Sequence, residues 1–301
     1  MIRPQNDRPL VERLLDRCTF PAAGSPATVA LSGGPDSCAL AALAVHHDLR
    51  VDAVHVHHGV RPDADRDAEA AMGVAERLGV RCRVERVQLA DGPNLEERAR
   101  HARLDVIGLE AMTGHTLDDQ AETVVLALLR GAGARGLAAM RPGPRHPILG
   151  LRRSETRALC DELDLGAVDD PTNDDPRFRR NRVRHEVIPL LDDVAERDVG
   201  ALLARAAGWL REDDDLLDSL AADLDPTEAA TLASAPPPIA RRAVRRWLAV
   251  DGRPPDSAAV ERVMAVAVGT AVACDVGAGR RVARTAGRLH LTSRPRDGTS
   301  A

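Results

Sequence analysis

The chemical groups that stand out in this 301-residue chain are two hydroxyls and a carboxylate set among glycines. They occur in the run Leu31-Ser32-Gly33-Gly34-Pro35-Asp36-Ser37. Residues 27–31 predict a short buried strand, and residues 38–49 predict an Ala/Leu-rich helix. Glycines at such a bend let backbone N–H groups approach an anion, and the hydroxyls and the helix dipole add to its attraction. We interpret the run as a loop that holds the pyrophosphate of ATP.

Asp36 is the unexpected member of this loop, because a carboxylate beside a phosphate repels it unless a divalent cation lies between them. We therefore interpret Asp36 as a Mg²⁺ ligand. The loop is not a Walker A motif, which ends in Gly-Lys-Ser/Thr, since all 41 Lys+Arg residues of the chain are arginine. The alternative interpretation is a glycine-proline turn that binds nothing.

A second run places acidic side chains beside a histidine: Gly114-His115-Thr116-Leu117-Asp118-Asp119-Gln120-Ala121-Glu122-Thr123. Acids in the first turns of a helix, here predicted over 118–129, are common complements of the helix dipole. Three acids next to a histidine at a strand end favour a cation or an amine substrate instead. Asp118 and Glu122, four residues apart, share one face of the helix.

Arginines cluster in further segments of the chain. Residues 177–184 contain five of them and no acid, which suits the phosphates of ATP or of an RNA backbone. The alternative is a solvated basic segment that nearby aspartates neutralise. Another basic segment surrounds a glycine-rich loop and comprises Arg130, Arg135 and Arg141. The arginines of the predicted helix 239–250 are more typical of a solvated helix face.

Strands and helices alternate through about residue 165, which predicts a doubly wound parallel sheet with helices on both faces. The further strands are predicted at 51–57, 81–87, 109–113 and 146–149, and the further helices at 63–78, 94–106, 118–129 and 154–163, the last capped by Ser154. Ligands of such sheets bind beyond the carboxyl ends of the strands, where the loop, His57 and Gly114 are expected.

The remaining chain differs in pattern from this alternation. Residues 186–222 predict a helix, 257–267 predict another, and 272–292 resemble a hairpin. We expect a catalytic domain over residues 1–200 and a smaller, mainly helical domain with a terminal hairpin over 201–301, which would assist nucleic-acid binding.

The composition limits the partners, the metal sites and the cellular compartment that we expect for the protein. The net charge of the whole chain is −5, which does not indicate a nucleic-acid partner. Any basic surface that binds nucleic acid must therefore be local. Five scattered cysteines without a Cys-x-x-Cys pair argue against zinc, iron–sulfur clusters and a disulfide framework. The cysteine pattern and the lack of a signal peptide or apolar span predict a cytoplasmic protein with no membrane partner.

Together these motifs resemble those of the tRNA(Ile)-lysidine synthetases, members of the PP-loop ATP pyrophosphatase superfamily. The resemblance covers most of residues 25–192. Its motifs are SGGPDS, HVHHGVR (55–61), NLE with ARHAR (94–103), GHTLDDQAET (114–123), RGAGARGLAAM (130–140), ILGLRRSETR (148–157) and DDPTNDDPRFRRNRVRHEVIPLL (169–191). It implies ATP-dependent ligation of free L-lysine onto C2 of the wobble cytidine of a CAU-anticodon isoleucine tRNA. The implied route passes through an adenylated cytidine and releases pyrophosphate and AMP.

The resemblance also implies roles for individual residues. ATP would be bound by Ser32, Gly33, Gly34, Pro35, Asp36, Ser37, His57 and Gly114. Asp36 and Asp119 would be Mg²⁺ ligands, and His115, Asp118 and Glu122 would orient or deprotonate the lysine amine. The tRNA or phosphate contacts would come from Arg130, Arg135, Asn173, Arg179, Arg180, Asn181 and Arg184.

Two departures from the family pattern accompany the resemblance. Leu104 stands where the family usually has tyrosine, and the stretch from Arg103 to Gly114 is several residues shorter than usual. Other functions stay open: a tRNA-thiolating PP-loop relative, an amidotransferase-type synthetase and an inactive nucleotide-binding relative. A homodimer also stays open.

Overall fold

The structure is a computed structural model that describes residues 8–57, 64–87, 106–108, 110–168, 175–250 and 254–293. The chain divides into two compact units, Met1–Trp209 and Leu210–Ala301. The division falls inside one long helix, which continues without a break from Val199 to Ala222.

The first unit contains a parallel sheet of the doubly wound class, as the sequence predicts. After helix α1 (Leu10–Leu15), strands and helices follow in the order β1 (Pro26–Ala30), α2 (Pro35–His46), β2 (Arg50–His57), α3 (Ala64–Arg77) and β3 (Arg81–Arg86). The strand order is β1-β2-β3, and every pairing among them is parallel.

The chain then returns to the opposite side of β1. Met112 forms a parallel bridge with Val29, and its backbone N–H donates to the carbonyl of Thr28 at 2.8 Å. The order of connections therefore reverses at β1. In sheets of this kind ligands bind in the crevice at such a reversal, beyond the carboxyl ends of the strands.

Helix α2 lies at the centre of the first core, because residues 38–44 are buried without exception. They are Cys, Ala and Leu, whose small side chains let neighbouring elements approach closely. The core around the helix is built from aliphatic residues, including Leu31, Ile148, Leu151 and Leu159. Full burial of one such side chain contributes about 1.5–3 kcal/mol, so the core holds α2 in place.

Three helices complete the middle of the unit: α4 (Leu117–Leu129), α5 (Ala134–Leu137) and α6 (Arg153–Glu162). The predicted strand 109–113 is reduced to the single bridge at Met112. The predicted edge strand 146–149 is wrong, because residues 147–150 form turns that bury Ile148. Most of the predicted helix 94–106 lies outside the described residues.

Ser154 is not the N-cap of α6, contrary to the prediction. The cap position is Arg152, and the Glu155 carboxylate accepts its backbone N–H at 2.7 Å. Because this carboxylate satisfies the N-terminal backbone group, the cap lies two residues earlier than predicted.

The predicted helix 186–222 is wrong as one continuous element. It comprises the end of a π-helical turn (Val183–Val187) that follows α7 (Arg179–Arg182), then α8 (Ile188–Ala195) and α9 (Val199–Ala222). Glu196, with a φ of 50°, adopts the left-handed conformation that ends α8.

The second unit packs helices against a small sheet. Helices α10 (Ala229–Ser234), α11 (Pro237–Leu248) and α12 (Ser257–Val268) precede strands β4 (Ala273–Gly277), β5 (Arg280–Thr285) and β6 (Arg288–Ser293). The strands form an antiparallel sheet in sequence order. The predicted hairpin 272–292 is therefore incomplete, because a second turn at 286–287 adds a third strand.

Candidate functional site

The loop between β1 and α2 is ordered by its own hydroxyls. The Ser37 hydroxyl lies 2.9 Å from that of Ser32 and donates to the Gly34 carbonyl at 2.9 Å, while the Ser32 backbone N–H donates to Ser37 Oγ at 3.1 Å. Gly34 caps α2 without a side-chain hydrogen bond. The N-cap thus provides no side-chain acceptor for the N–H groups of the first turn, and such unsatisfied groups at a helix N-terminus can bind anions.

Gly114 brings the two sequence motifs into contact. A Cβ at this position would stand 2.8 Å from the carbonyl carbon and oxygen of Asp36 and 2.9 Å from the Ser37 backbone nitrogen. Real Cβ atoms do not approach backbone so closely. Only glycine at residue 114 therefore lets the Gly114–Thr123 motif rest directly on the first turn of α2.

We expect Gly114→Ala to destabilise the protein by about 1–3 kcal/mol, because the added methyl group must push backbone apart. Gly73→Ala is the matched control, since a Cβ there meets nothing within 4 Å inside helix α3. That change should be neutral or slightly stabilising. Urea unfolding of both variants measures the difference, and equal stabilities would contradict the contact.

Asp36 is bound by two side chains of helix α6, which follow it in the sequence by more than a hundred residues. Thr156 of α6 donates its hydroxyl to Asp36 Oδ1 at 2.5 Å, and Arg153 Nε lies 3.4 Å from Oδ2. Burial raises the pKa of Asp36, the bonds from Thr156 and Arg153 oppose that rise, and the neighbouring Asp119 carboxylate adds to it. A further cation beside Asp36 would therefore stabilise its ionised form.

Asp119 divides its two oxygens between structure and site. Oδ2 accepts the Thr116 backbone N–H at 2.8 Å and its hydroxyl at 2.9 Å, which caps helix α4. Oδ1 accepts from Arg153 Nη2 at 3.0 Å. Burial alone would raise the pKa of Asp119, but Arg153, His115 and the Thr116 N–H together hold it below its ordinary value. Asp119 is therefore kept ionised beside Asp36.

Glu122 is the most deeply buried acid of the group, with a side chain only 1% exposed. It accepts Arg180 Nε at 2.7 Å, Arg184 Nε at 2.7 Å and Arg153 Nη2 at 3.3 Å. Arginine suits this role because its guanidinium donates several directed hydrogen bonds and stays charged. Arg153 consequently links three carboxylates: Asp36, Asp119 and Glu122.

Asp118 points to a different partner from the other acids. Its Oδ2 accepts the backbone N–H of Arg153 at 2.7 Å, and its Oδ1 lies 2.9 Å from Arg152 Nη2. Asp118 thus fastens the start of α6, which in turn positions the Arg153 side chain.

The two predicted histidines are placed at the ends of their strands. His115 Nδ1 lies 2.7 Å from the Thr113 hydroxyl, and the ring stands edge-on to His146 with centroids 4.9 Å apart. His57 is buried at the end of β2, where its Nε2 lies 3.1 Å from Asp65 Oδ1.

The arginine-rich segment divides between the site and the surface. Arg180 and Arg184 reach Glu122, whereas Arg179 is exposed. Asn181 is buried and donates to the Asp175 carbonyl at 2.9 Å, so it holds the turn that precedes α7. Arg130 and Arg135 are exposed near the end of α4 and in α5. Asn173 lies outside the described residues.

Arg153 and Thr156 are site residues that the sequence reasoning did not single out. A signal was available in the adjacent arginines 152 and 153. Basic side chains at a helix N-terminus oppose the helix dipole, so their presence there indicates acidic partners elsewhere in the fold.

A glycine-rich loop at the reversal point of a parallel sheet, with carboxylates against the first turn of its helix, defines the class: a PP-loop nucleotide-binding protein. The PP-loop domain family matches residues 9–191, and the TilS substrate binding domain family matches residues 228–290. The chain belongs to the tRNA(Ile)-lysidine synthase family, as its motifs predict.

Individual relatives agree with this assignment. The tRNA(Ile)-lysidine synthase of Nocardia farcinica is 47% identical over 77% of this chain and 78% of that protein. The synthases of Rhodococcus erythropolis and Mycobacterium tuberculosis are 45% and 44% identical, over 74% and 75% of the chain and the same shares of those proteins. The relatives and the PP-loop match together place the chain in an ATP-utilising family.

A solved structure supports the fold alone. The U34-tRNA thiolase NcsA from Methanococcus maripaludis, solved with its [4Fe-4S] cluster, superposes with a TM-score of 0.52 at 17% identity, covering 67% of this chain and 78% of that one. Among the described residues of our protein, no group of three or more His, Cys, Asp or Glu residues could hold a metal ion on its own. No helix in those described ranges is long and apolar enough to cross a membrane.

Proposed function

We propose that the protein joins the ε-amine of free L-lysine to C2 of the wobble cytidine of CAU-anticodon tRNA(Ile), through an adenylated cytidine. ATP first transfers AMP to the C2 oxygen and releases pyrophosphate. The lysine nitrogen then forms the C2–N bond while the C2–O bond breaks and AMP leaves with its electron pair. The observation that carries this proposal is the carboxylate group Asp36, Asp119 and Glu122, packed against the loop and linked by Arg153.

The nucleotide would lie on the loop of residues 32–37. The N–H groups that open α2 and the hydroxyls of Ser32 and Ser37 are donors suited to a pyrophosphate. Asp36 and Asp119 fit a Mg²⁺ ion that arrives with ATP, since magnesium is commonly bound by one or two carboxylates plus substrate phosphates. When bound, the ion would neutralise charge on the transferring phosphoryl group.

The lysine amine would approach the same acids from the side of His115. The ε-amine must be neutral to attack, and an ordinary lysine ammonium has a pKa near 10.4. Asp119 provides negative charge that attracts the ammonium, whereas Glu122 is engaged by Arg153, Arg180 and Arg184 and positions these arginines. Asp118 is engaged with the start of α6, so we assign it the positioning of Arg153.

The tRNA would be bound by exposed cations of the first unit together with the second unit. Arg130, Arg135 and Arg179 are exposed, and arginine contacts to phosphates supply sequence-independent affinity. The match of residues 228–290 to a substrate binding domain supports a contribution from the second unit.

The protonation state of three cysteines argues against tRNA thiolation as the activity. Cys18, Cys38 and Cys160 are free, and burial raises the pKa of each thiol to about 12. Sulfur transfer requires a thiolate. With the pKa of each thiol raised this far, these three cysteines remain protonated near neutral pH.

Release of AMP from ATP tests the proposal. We expect it to require both L-lysine and a tRNA with a CAU anticodon, with lysidine formed in equal amount. Ornithine, which is one methylene shorter, and a tRNA(Ile) with a GAU anticodon serve as matched controls and should give little release. AMP release that is independent of lysine would contradict the proposal.

A further inference from the structure

We propose that Thr113 and His146 are positioning residues, which together hold His115 in the tautomer whose Nε2 accepts a proton from the attacking lysine. The inference rests on the proposed function for the identity of the amine. The arrangement that carries it is a single hydroxyl shared by two imidazole rings and one carbonyl. None of these contacts involves the loop that we assign to ATP.

The Thr113 hydroxyl has three close neighbours. Its oxygen lies 2.7 Å from His115 Nδ1 and 2.8 Å from His146 Nδ1, and it donates to the Arg145 carbonyl at 3.2 Å. A hydroxyl has one hydrogen to donate and two lone pairs that accept. The carbonyl can only accept, so it receives that hydrogen. All three contacts are satisfied together only when both imidazoles donate from Nδ1–H.

This proton count determines the state of His115. A neutral imidazole carries one proton, so with Nδ1 protonated the Nε2 atom keeps its lone pair. An unprotonated Nε2 can accept a proton from an ammonium, and His115 becomes an imidazolium. The two groups interact electrostatically, because His115 lowers the pKa of Asp119.

Backbone bonds fix the hydroxyl and the ring relative to one another. The Thr113 backbone N–H donates to the Arg145 carbonyl at 2.9 Å, and the His115 backbone N–H donates to the Thr113 carbonyl at 2.9 Å. His146 stands perpendicular to His115 with an interplanar angle of 88°, which restricts rotation of the ring. The backbone bonds do not need the Thr113 hydroxyl, so its removal should leave the local chain path intact.

The decisive variant is Thr113→Val, which keeps the shape of the side chain and removes the hydroxyl. We expect it to slow lysine transfer from the adenylated tRNA by about 10²-fold, the lower end of the range for general acid–base catalysis. Adenylation, measured as tRNA-dependent pyrophosphate release without lysine, should slow far less. Thr113→Ser retains the hydroxyl and should recover most of the transfer rate. The transfer rate of His146→Ala should lie between those of Thr113→Val and Thr113→Ser.

Histidine ¹⁵N NMR of the unliganded, full-length protein provides a readout independent of activity. At about pH 8.5, two units above the ordinary histidine pKa of 6.5, His115 should show a protonated Nδ1, with the signal assigned from a His115→Gln spectrum. In Thr113→Val the signal should move towards the Nε2–H form. A wild-type ring protonated at Nε2 would overturn the proposal, and so would equal slowing of both half-reactions.

The two hypotheses fail in different ways. If the wild-type protein formed no lysidine, the proposed function would fall while the tautomer and its dependence on Thr113 could still be observed. If lysidine formed normally in Thr113→Val, the positioning role would be contradicted and the proposed function would stand.

Discussion

Replacing Asp36 by asparagine should lower the rate of lysidine formation at least about a hundredfold, the effect expected for loss of a preorganised charge partner. Asparagine keeps the shape of the side chain and can still accept from Thr156. It lacks the charge that we expect to face the cation bound to ATP. Pyrophosphate release should decline in parallel, because the defect lies in the adenylation step.

Asp161→Asn is the matched control for this change. Asp161 is an exposed residue near the end of α6, where its backbone carbonyl accepts the Leu163 N–H. The control should react at the normal rate with unchanged stability. A near-normal rate for Asp36→Asn, with the protein folded, would refute the role of its charge.

Glu122→Gln should destabilise the fold by about 3 kcal/mol, the lower end of the range for breaking a buried ion pair. The carboxylate offsets the guanidiniums of Arg153, Arg180 and Arg184. A neutral amide of the same shape leaves those cations together without their common partner. The side chains of the arginines are 20–35% exposed, so water compensates part of the loss.

Urea unfolding measures the effect of this substitution. Glu162→Gln, an exposed carboxylate at the end of α6, controls for the loss of one negative charge and should change stability by less than about 0.5 kcal/mol. Equal midpoints for the two variants would show that Glu122 is not the anchor of the arginine group. We also expect Glu122→Gln to lose most of its activity, since Arg153 would no longer be held between Asp36 and Asp119.

The elements around the loop could be predicted from the sequence because local pattern determines them. β1, α2, β2 and β3 each occur within a few residues of their predicted positions, since short apolar runs and glycine turns specify them. The family could be recognised for the same reason: the SGGPDS loop and the GHTLDDQAET run are contiguous. The edge strand predicted at 146–149 was wrong because Ile148 and Leu149 read as strand but are buried by tertiary packing in a turn.

The interior of the candidate site depends on contacts that no local pattern reveals. Arg153 meets Asp36 across more than a hundred residues of sequence, so only the fold brings them together. The five arginines of 177–184 form one basic segment in the sequence, whereas in the fold Arg180 and Arg184 contact Glu122 and Arg179 is exposed. The Thr116–Asp119 capping box was not predicted, although a threonine followed three residues later by an acid is the local pattern of such a cap.

A structure of the protein with ATP and Mg²⁺ tests the central claim most directly. We expect the triphosphate to lie over residues 32–37 with its oxygens on the N–H groups that open α2, and the cation between the phosphates and the Asp36 carboxylate. A nucleotide bound elsewhere, or a loop left empty at saturating ATP, would contradict the account.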